Sequence, residues 1–220
     1  MRVYYHKIGQ NQSQDSLMFD YPEQPDALLA AHSTHDGNYL LIQISQGADS
    51  KILLYYADLT KDENKNLDQK LVVKPVVTEW VGSYDYINNI GKEFYFATDY
   101  NAPLSKSVKF NIEKPAFENW IDVVPEHKKN VLQSAGTMKN GTVMLVNYLV
   151  NAAEKIKIYN FETPAKLVKN VDMPGFGAVP ISSGGHKDYE MFFKFQTFTD
   201  PGSVYRLDMN TYKVEALRRP

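Results

Sequence analysis

The sequence contains no cysteine. This absence excludes a disulfide framework and any thiolate metal site. It is also typical of a reducing compartment, because secreted domains of small size often depend on disulfides. Residues 1–20 lack the apolar stretch of a secretory signal peptide, since polar and aromatic residues follow Arg2. We therefore expect a cytoplasmic protein.

The chain also lacks an excess of charge of either sign and a long hydrophobic run. Its net charge is −2, from 24 basic and 26 acidic side chains. That balance gives no electrostatic footprint for nucleic acid or an anionic membrane. No apolar run approaches the roughly 18 residues that span a bilayer. With 43% hydrophobic residues, the 220-residue chain can still bury a core.

A glycine-containing polar turn recurs along the chain and precedes a hydrophobic strand each time. The four turns are residues 35–38, 89–92, 139–142 and 184–187. Their spacing is roughly 45–55 residues, and strand-only repeats of about this length indicate propeller blades. The 15 tyrosines and 11 phenylalanines favour strands as well. The repeat predicts a scaffold and implies no chemistry by itself.

The pattern predicts an all-β fold, a partial β-propeller with four complete four-stranded antiparallel blades plus half a blade. One propeller domain covers residues 1–220, with the half blade at 1–22 and blades at 23–78, 79–126, 127–173 and 174–220. The predicted strands are residues 3–8 and 15–21, then 27–33, 39–45, 51–59 and 71–78, then 83–89, 93–99, 106–112 and 119–124, then 131–138, 143–150, 155–161 and 166–171, then 178–183, 189–196, 203–207 and 212–217.

Two parts of this pattern carry further expectations. The charged segment 61–70 has Leu67 as its single apolar anchor, so we expect a mobile, solvated loop.

A half blade leaves an open strand edge, which is a pairing liability. We therefore expect the sequence to be a piece of a larger protein, and the chain by itself to form an open arc or a dimer with paired edges.

Several segments resemble the propeller of the prolyl oligopeptidase (prolyl endopeptidase) family, in the family's order. They are YYHKIG at 4–9 with QSQD at 12–15, HDGNYLL at 35–41, YDY at 84–86, VPEH at 124–127, FKF at 193–195 with TF at 197–198, and PGSVY at 201–205. The resemblance covers nearly the whole chain and implies the later blades of a seven-bladed propeller that caps an α/β-hydrolase domain. In that family the propeller tunnel limits access, so that short peptides are cut after proline. The implied partners are the hydrolase domain of the same parent protein and short proline-containing peptides.

The sequence lacks the motif of a serine nucleophile, Gly-x-Ser-x-Gly. Residues 182–186 (SSGGH) are the nearest substitute, but they fall between two strands and have the composition of a turn. None of the five histidines stands in a metal-ligand spacing, so we expect neither a metal nor a cofactor. The resemblance places the family's catalytic triad outside this chain. We therefore expect a non-catalytic fragment that is inactive alone and that gates and size-selects peptides for the parent serine endopeptidase.

The resemblance implies that three positions, Leu28, Ser45 and Ala48, face the bound peptide. Family members often carry bulkier, cationic or thiol-bearing side chains there, so Ser45 and Ala48 would leave the cavity roomier or less polar on that side. The alternative is that all three are ordinary blade positions.

Two other functions remain open from the sequence. One is a self-standing propeller platform for protein partners, because fold alone does not fix function. The other is a propeller glycosidase, which needs inward-pointing carboxylates from several blades. The candidates by residue type are Asp85, Glu93, Asp99 and Glu190.

Overall fold

The computed structural model describes residues 1–219, and every sheet in this part of the chain is antiparallel. Four sheets have four strands each in sequential order, which is the meander of a propeller blade, and one sheet has two strands. The predicted fold class is confirmed. The two-stranded sheet comprises β1 (Arg2–Tyr5) and β2 (Ser16–Asp20). The blades comprise β3 (Leu28–Ser33), β4 (Tyr39–Ser45), β5 (Ile52–Asp58) and β6 (Lys74–Val77); β7 (Tyr84–Ile90), β8 (Glu93–Thr98), β9 (Lys106–Asn111) and β10 (Ile121–Val124); β11 (Val131–Met138), β12 (Val143–Val150), β13 (Ala153–Tyr159) and β14 (Leu167–Asn170); and β15 (Ala178–Ser183), β16 (Glu190–Gln196), β17 (Ser203–Asp208) and β18 (Val214–Arg218).

Within a blade, the first and second strands differ in how deeply they are buried, as is expected when blades are arranged around an axis. The second strands β4, β8 and β12 are near-continuously buried, because each is covered on both faces. The first strands β3 and β15 are mostly exposed, although β7 is largely buried. Within residues 1–219 the helical content is limited to short 3-10 turns, at Gln12–Gln14, Asp62–Asn64 and Phe117–Asn119.

Contacts divide the chain into two compact units. The first comprises residues 1–84 and 111–119. Its core has one cluster around Met18, Ala57 and Leu71 and another around Ala27, Ile44 and Leu53. In both clusters, side chains of the two-stranded sheet pack against the first blade, and this burial stabilises the pair.

Two tyrosines of this first unit have strongly shifted acidities. Burial raises the pKa of the Tyr39 phenol to about 12, and the neighbouring carboxylate of Asp58 adds to the shift. Burial also raises the pKa of Tyr55 to about 12, with a contribution from Tyr21. Removing a phenol from water penalises the tyrosinate anion, so both rings favour their neutral form.

The second unit comprises residues 85–110 and the chain from residue 120 onward. One of its clusters joins the blade that contains β8 and β10 to the blade that contains β12, through side chains such as Tyr95, Val123 and Met144. Another joins that blade to the last one, through Ile158, Phe193 and Phe195. Packing between neighbouring blades adds to the stability of each blade in a repeat array.

The recurring glycines lie in the turns that connect the first strand of each blade to the second. Gly37, Gly91 and Gly141 have φ values of +73°, +57° and +71°, a left-handed conformation that glycine adopts without strain. In the last blade the positive φ falls on Gly184, at +151°, and not on Gly185.

Two of these turns bond to each other within the second unit. The Lys139 amide donates to the Asp188 carbonyl at 2.8 Å, and the Gly141 amide donates to the His186 carbonyl at 3.2 Å. The His186 Nδ1 atom also lies 2.8 Å from Thr137 Oγ1. A Cβ on Gly141 would collide with the His186 ring, so this contact requires glycine for space as well as for conformation.

The charged segment 61–70 has a second anchor besides Leu67. Asn64 is only 2% exposed. Its Nδ2 donates to the carbonyls of Asp58 and Val72, at 2.9 and 3.2 Å, and its Oδ1 accepts the Val72 amide at 2.7 Å. Leu67 packs against the cluster around Met18 as predicted from its type. Asn64 is therefore a polar anchor in addition to the single apolar one, and it makes three hydrogen bonds to the backbone. The mobility of the segment stays a prediction.

Candidate functional site

The three positions implied to face peptide come together at one end of the first blade. Leu28 begins β3 and lies directly opposite Ser45, the last residue of β4. Ala48 is exposed in the turn that follows, where the Asp49 amide donates to the Gln46 carbonyl at 3.1 Å. Leu28 is 43% exposed, although it is a large apolar side chain. The glycine turn at 35–38 closes the other end of the same β3–β4 hairpin.

The Ser182–His186 segment forms the turn that its composition predicts. Ser182 and Ser183 end β15 opposite Phe193 and Phe192. The Asp188 side chain accepts the Gly185 amide at 2.7 Å, and the Asp188 amide donates back to the Gly185 carbonyl. The segment runs from one strand to the next, whereas a nucleophile elbow runs from a strand into a helix. The geometry therefore gives this segment a structural role.

The carboxylates considered for sugar cleavage do not share one position in the repeat. Asp85 lies on a first strand, whereas Glu93 and Glu190 begin second strands. Glu93 pairs with Lys109 at 3.9 Å, and Glu190 with Arg206 at 2.9 Å, in both cases across strands of one blade. Asp99 follows the end of β8. These cross-strand pairs are those of ordinary blade faces.

Within residues 1–219, no group of three or more histidine, aspartate or glutamate side chains is arranged to hold a metal ion. In the same part of the chain, no helix is long and apolar enough to cross a membrane.

The structure also contains a cavity that the sequence did not predict. It lies in the second unit between the first strands β11 and β15, and it has a volume of about 280 Å³. Ser134 and Gly136 line it from one strand, Val179 and Ser182 from the other, and Asn147 of β12 lines it as well. One residue could have indicated this irregular region: Pro180 lies inside a predicted strand, and proline in a sheet is confined to edges and bulges.

Both first strands are irregular where they line this cavity. The β11–β12 pairing shifts between Leu132 and Ser134, and the β15–β16 pairing shifts between Ala178 and Ile181. The corresponding pairing of β3 with β4 has no shift over its six residues. Bulges of this kind are over-represented beside functional sites, where they redirect side chains.

Comparison with known proteins identifies the chain's relatives. The family "Prolyl oligopeptidase, N-terminal beta-propeller domain" matches residues 1–220. A prolyl endopeptidase of Elizabethkingia miricola is 26% identical over 219 residues, which are 100% of this chain and 29% of that protein. Prolyl oligopeptidase A of Galerina marginata is 30% identical over 206 residues, which are 93% of this chain and 26% of that protein.

Solved structures show the same fold. Prolyl oligopeptidase B from Galerina marginata, bound to a 35mer hydrolysis and macrocyclization substrate, superposes with a TM-score of 0.87. At 24% identity the match covers 99% of this chain and 30% of that one. Oligopeptidase B from Leishmania major gives a TM-score of 0.76 at 14% identity. The chain thus spans about 30% of the length of the relatives it matches. The resemblance seen in the sequence motifs is confirmed, and the chain belongs to the N-terminal β-propeller family of the prolyl oligopeptidases.

Proposed function

We propose that the chain is the non-catalytic propeller of a prolyl oligopeptidase-like serine endopeptidase, which cleaves short peptides after proline. In this proposal an α/β-hydrolase domain supplies the serine, histidine and aspartate, and the propeller gates access and selects peptides by size. The observation that supports it most is the match of the whole chain to the propeller family, combined with relatives more than three times as long.

In each of the two compact units, one first strand has exposed residues without a charged side chain. Along β3 the exposed side chains include Ala30, Ala31 and Ser33, and along β15 they include Ser182 and Ser183. Leu28 and Ile181 are also exposed on these strands. A peptide that contacted either strand would therefore meet small groups and single apolar side chains, and no fixed charge.

The blade end that carries Leu28, Ser45 and Ala48 would contact the peptide in this proposal. Leu28 offers an exposed apolar surface, and the small side chains at 45 and 48 leave space beside it. Such a site would accept peptides with large apolar residues, because their burial against Leu28 is favourable by about 25 cal/mol per Å².

The first test uses the chain by itself with a fluorogenic Gly-Pro amide. We expect no release of the fluorophore. Turnover that a serine-directed phosphonate abolishes would contradict the non-catalytic role, because this chain would then carry its own nucleophile.

The second test measures gating. The chain replaces the matching segment of the Elizabethkingia miricola prolyl endopeptidase, and cleavage of a short peptide is compared with cleavage of an unfolded protein. We expect the chimera to cleave the peptide and spare the protein. In that chimera Ala48→Trp should lower kcat/KM for a peptide with bulky side chains, whereas Gln10→Trp, on the turn between β1 and β2, should not. Equal effects of the two variants would refute the role of the blade end.

We propose three further properties. The protein is cytoplasmic, its partners are the hydrolase domain and short proline-containing peptides, and the chain by itself dimerises through exposed strand edges. Fractionation of the source cells tests the first, and cross-linking of a photoreactive prolyl peptide tests the second. For the third, an elution volume that stays at the monomer position across a hundredfold concentration range would contradict dimerisation.

A further inference from the structure

We propose that the cavity between β11 and β15 is a binding site for a short, uncharged peptide segment. It is built from residues other than Leu28, Ser45 and Ala48, so it would be an additional site on the propeller wall. The choice of peptide as the ligand class rests on the proposed function, whereas the position and the neutral character of the site rest on the structure alone.

The backbone around the cavity is shaped differently from that of the regular first strand β3. Both cavity strands carry a pairing shift, and both shifts fall on cavity-lining segments: Leu132–Ser134 in β11 and Ala178–Ile181 in β15. Two independent blades are therefore irregular on the two sides of one opening. Pairing shifts locally bend a strand and interrupt its ladder. The space of about 280 Å³ lies beside both of these shifts.

The two strands can also offer backbone hydrogen bonds. Each is the terminal strand of its sheet and pairs with a single neighbour, β11 with β12 and β15 with β16. Terminal strands present backbone N–H and C=O groups along their outer edge, and extended peptides bind such edges by adding a strand. On β11 the Leu132 amide is already taken, because it donates to the Leu104 carbonyl at 2.9 Å. An extended segment is the ligand that this geometry fits best.

The side chains that line the cavity are neutral. Ser134, Ser182, Ser183 and Asn147 supply hydroxyl and amide groups, and the remaining lining is mostly aliphatic, with no charged side chain. The Asn147 Nδ2 atom donates to Glu154 at 2.6 Å, while its buried Oδ1 has no partner within residues 1–219. A small rearrangement would let this oxygen accept a peptide N–H. A carboxylate, in contrast, would lose its hydration without gaining a cation.

The size of the cavity matches a short segment. Its volume of about 280 Å³ is close to the lower end of ligand pockets, at about 300 Å³. Gly136 makes the site testable, because a Cβ built there meets no atom within 4 Å and its φ is not left-handed. A larger side chain at this position would enter the cavity without displacing the fold.

The experiment titrates the ¹⁵N-labelled chain with a capped pentapeptide, acetyl-Ala-Gly-Pro-Ala-Gly-amide, and follows amide shifts by NMR. We expect saturable shifts at Ser134, Gly136 and Ser182. Gly136→Leu should raise the Kd at least tenfold, because the leucine fills the site. The control is Gly175→Leu, at an exposed glycine whose nearest atom to a Cβ is 4.0 Å away, and it should leave the Kd unchanged.

A second variant and a second peptide complete the design. Ser182→Leu, on the opposite strand, should weaken binding in the same way if Gly136→Leu does not fold. A peptide with aspartate on both sides of proline should bind at least tenfold more weakly. No saturable shift, shifts confined to other blades, or equal Kd values for the filled and control variants would overturn the proposal. The measurement needs no catalysis, so its failure would leave the gating role intact, and turnover by the chain would not count for or against this site.

Discussion

The buried side chain of Asn64 supports the clearest stability prediction. Asn64→Ala removes three hydrogen bonds, two to the Val72 backbone and one to the Asp58 carbonyl. Each net bond contributes about 0.5–1.5 kcal/mol, and the backbone groups left behind have limited access to water. We expect the free energy of unfolding to fall by about 2–4 kcal/mol. With a urea m-value of about 2–3 kcal/mol/M, the midpoint should drop by about 1 M.

The assay is urea unfolding followed by tryptophan fluorescence, since Trp80 packs in a cluster of the same unit. The matched control is Asn66→Ala in the same segment. Asn66 is exposed, and its Oδ1 accepts the Asp68 amide at 3.0 Å, so its loss should cost less than about 0.5 kcal/mol. Asn64→Asp should destabilise at least as much as Asn64→Ala, because a buried carboxylate oxygen would then face the Asp58 and Val72 carbonyls without a donor. If Asn64→Ala and Asn66→Ala unfold at the same urea concentration, the argument that Asn64 anchors this segment is refuted.

Three further predictions concern turns and acidity. Gly141→Ala should destabilise more than Gly91→Ala in thermal unfolding, because both positions have positive φ but only the first collides with His186; equal losses would show that the collision is relieved. Ala152→Gly should raise stability by about 0.5–1 kcal/mol in urea titration, because Ala152 has a φ of +63° that glycine adopts without strain, and an unchanged midpoint would contradict this. The free energy of unfolding should fall as pH rises from about 10 to 12, because the unfolded state releases the Tyr39 proton before the folded state does. Tyr39→Phe should reduce this loss of stability, and it should also reduce the late rise in tyrosinate absorbance. A titration that the substitution leaves unaltered would contradict the assigned pKa.

The existence of the strands could be predicted well from the sequence. The alternation of apolar and polar residues, and the continuous apolar runs, directly reflect which faces of each strand are buried. The predicted bounds of β4, β11, β12 and β15 agree with the structure. The predicted strand bounds were wrong where a side chain or a turn competes with strand pairing for the backbone hydrogen bonds. The apolar residues 71–73 suggested an early start for β6, but Asn64 bonds both backbone groups of Val72, and the strand begins at Lys74.

The β12–β13 turn was missed for a related reason. Its two residues, Asn151 and Ala152, both have positive φ, as a two-residue hairpin turn of type I′ requires. The usual signal for that turn is Asn-Gly, so alanine at the second position concealed it. Strand β13 therefore begins at Ala153, two residues before its predicted start.

The candidate sites were predictable to different degrees. The resemblance named Leu28, Ser45 and Ala48, and the structure places them together, but their contact with peptide stays a prediction. The cavity between β11 and β15 could not be predicted, because it is lined by strands of two separate blades, each of which has a pairing shift. The position of a pairing shift depends on how a whole strand packs against its neighbours. A short stretch of sequence does not contain the information on those neighbours.

The bonds between the turns at 139–142 and 184–188 have a consequence for folding cooperativity. The amide hydrogens of Lys139 and Gly141 are held by carbonyls of the following blade, so they can exchange with solvent only when the two blades separate. Their exchange rates therefore report blade separation, whereas the amides inside β12 report the opening of a single sheet. If the two groups exchange with equal free energies, these two blades form one cooperative unit, and the glycine repeat marks the joints of that unit as well as the start of its strands.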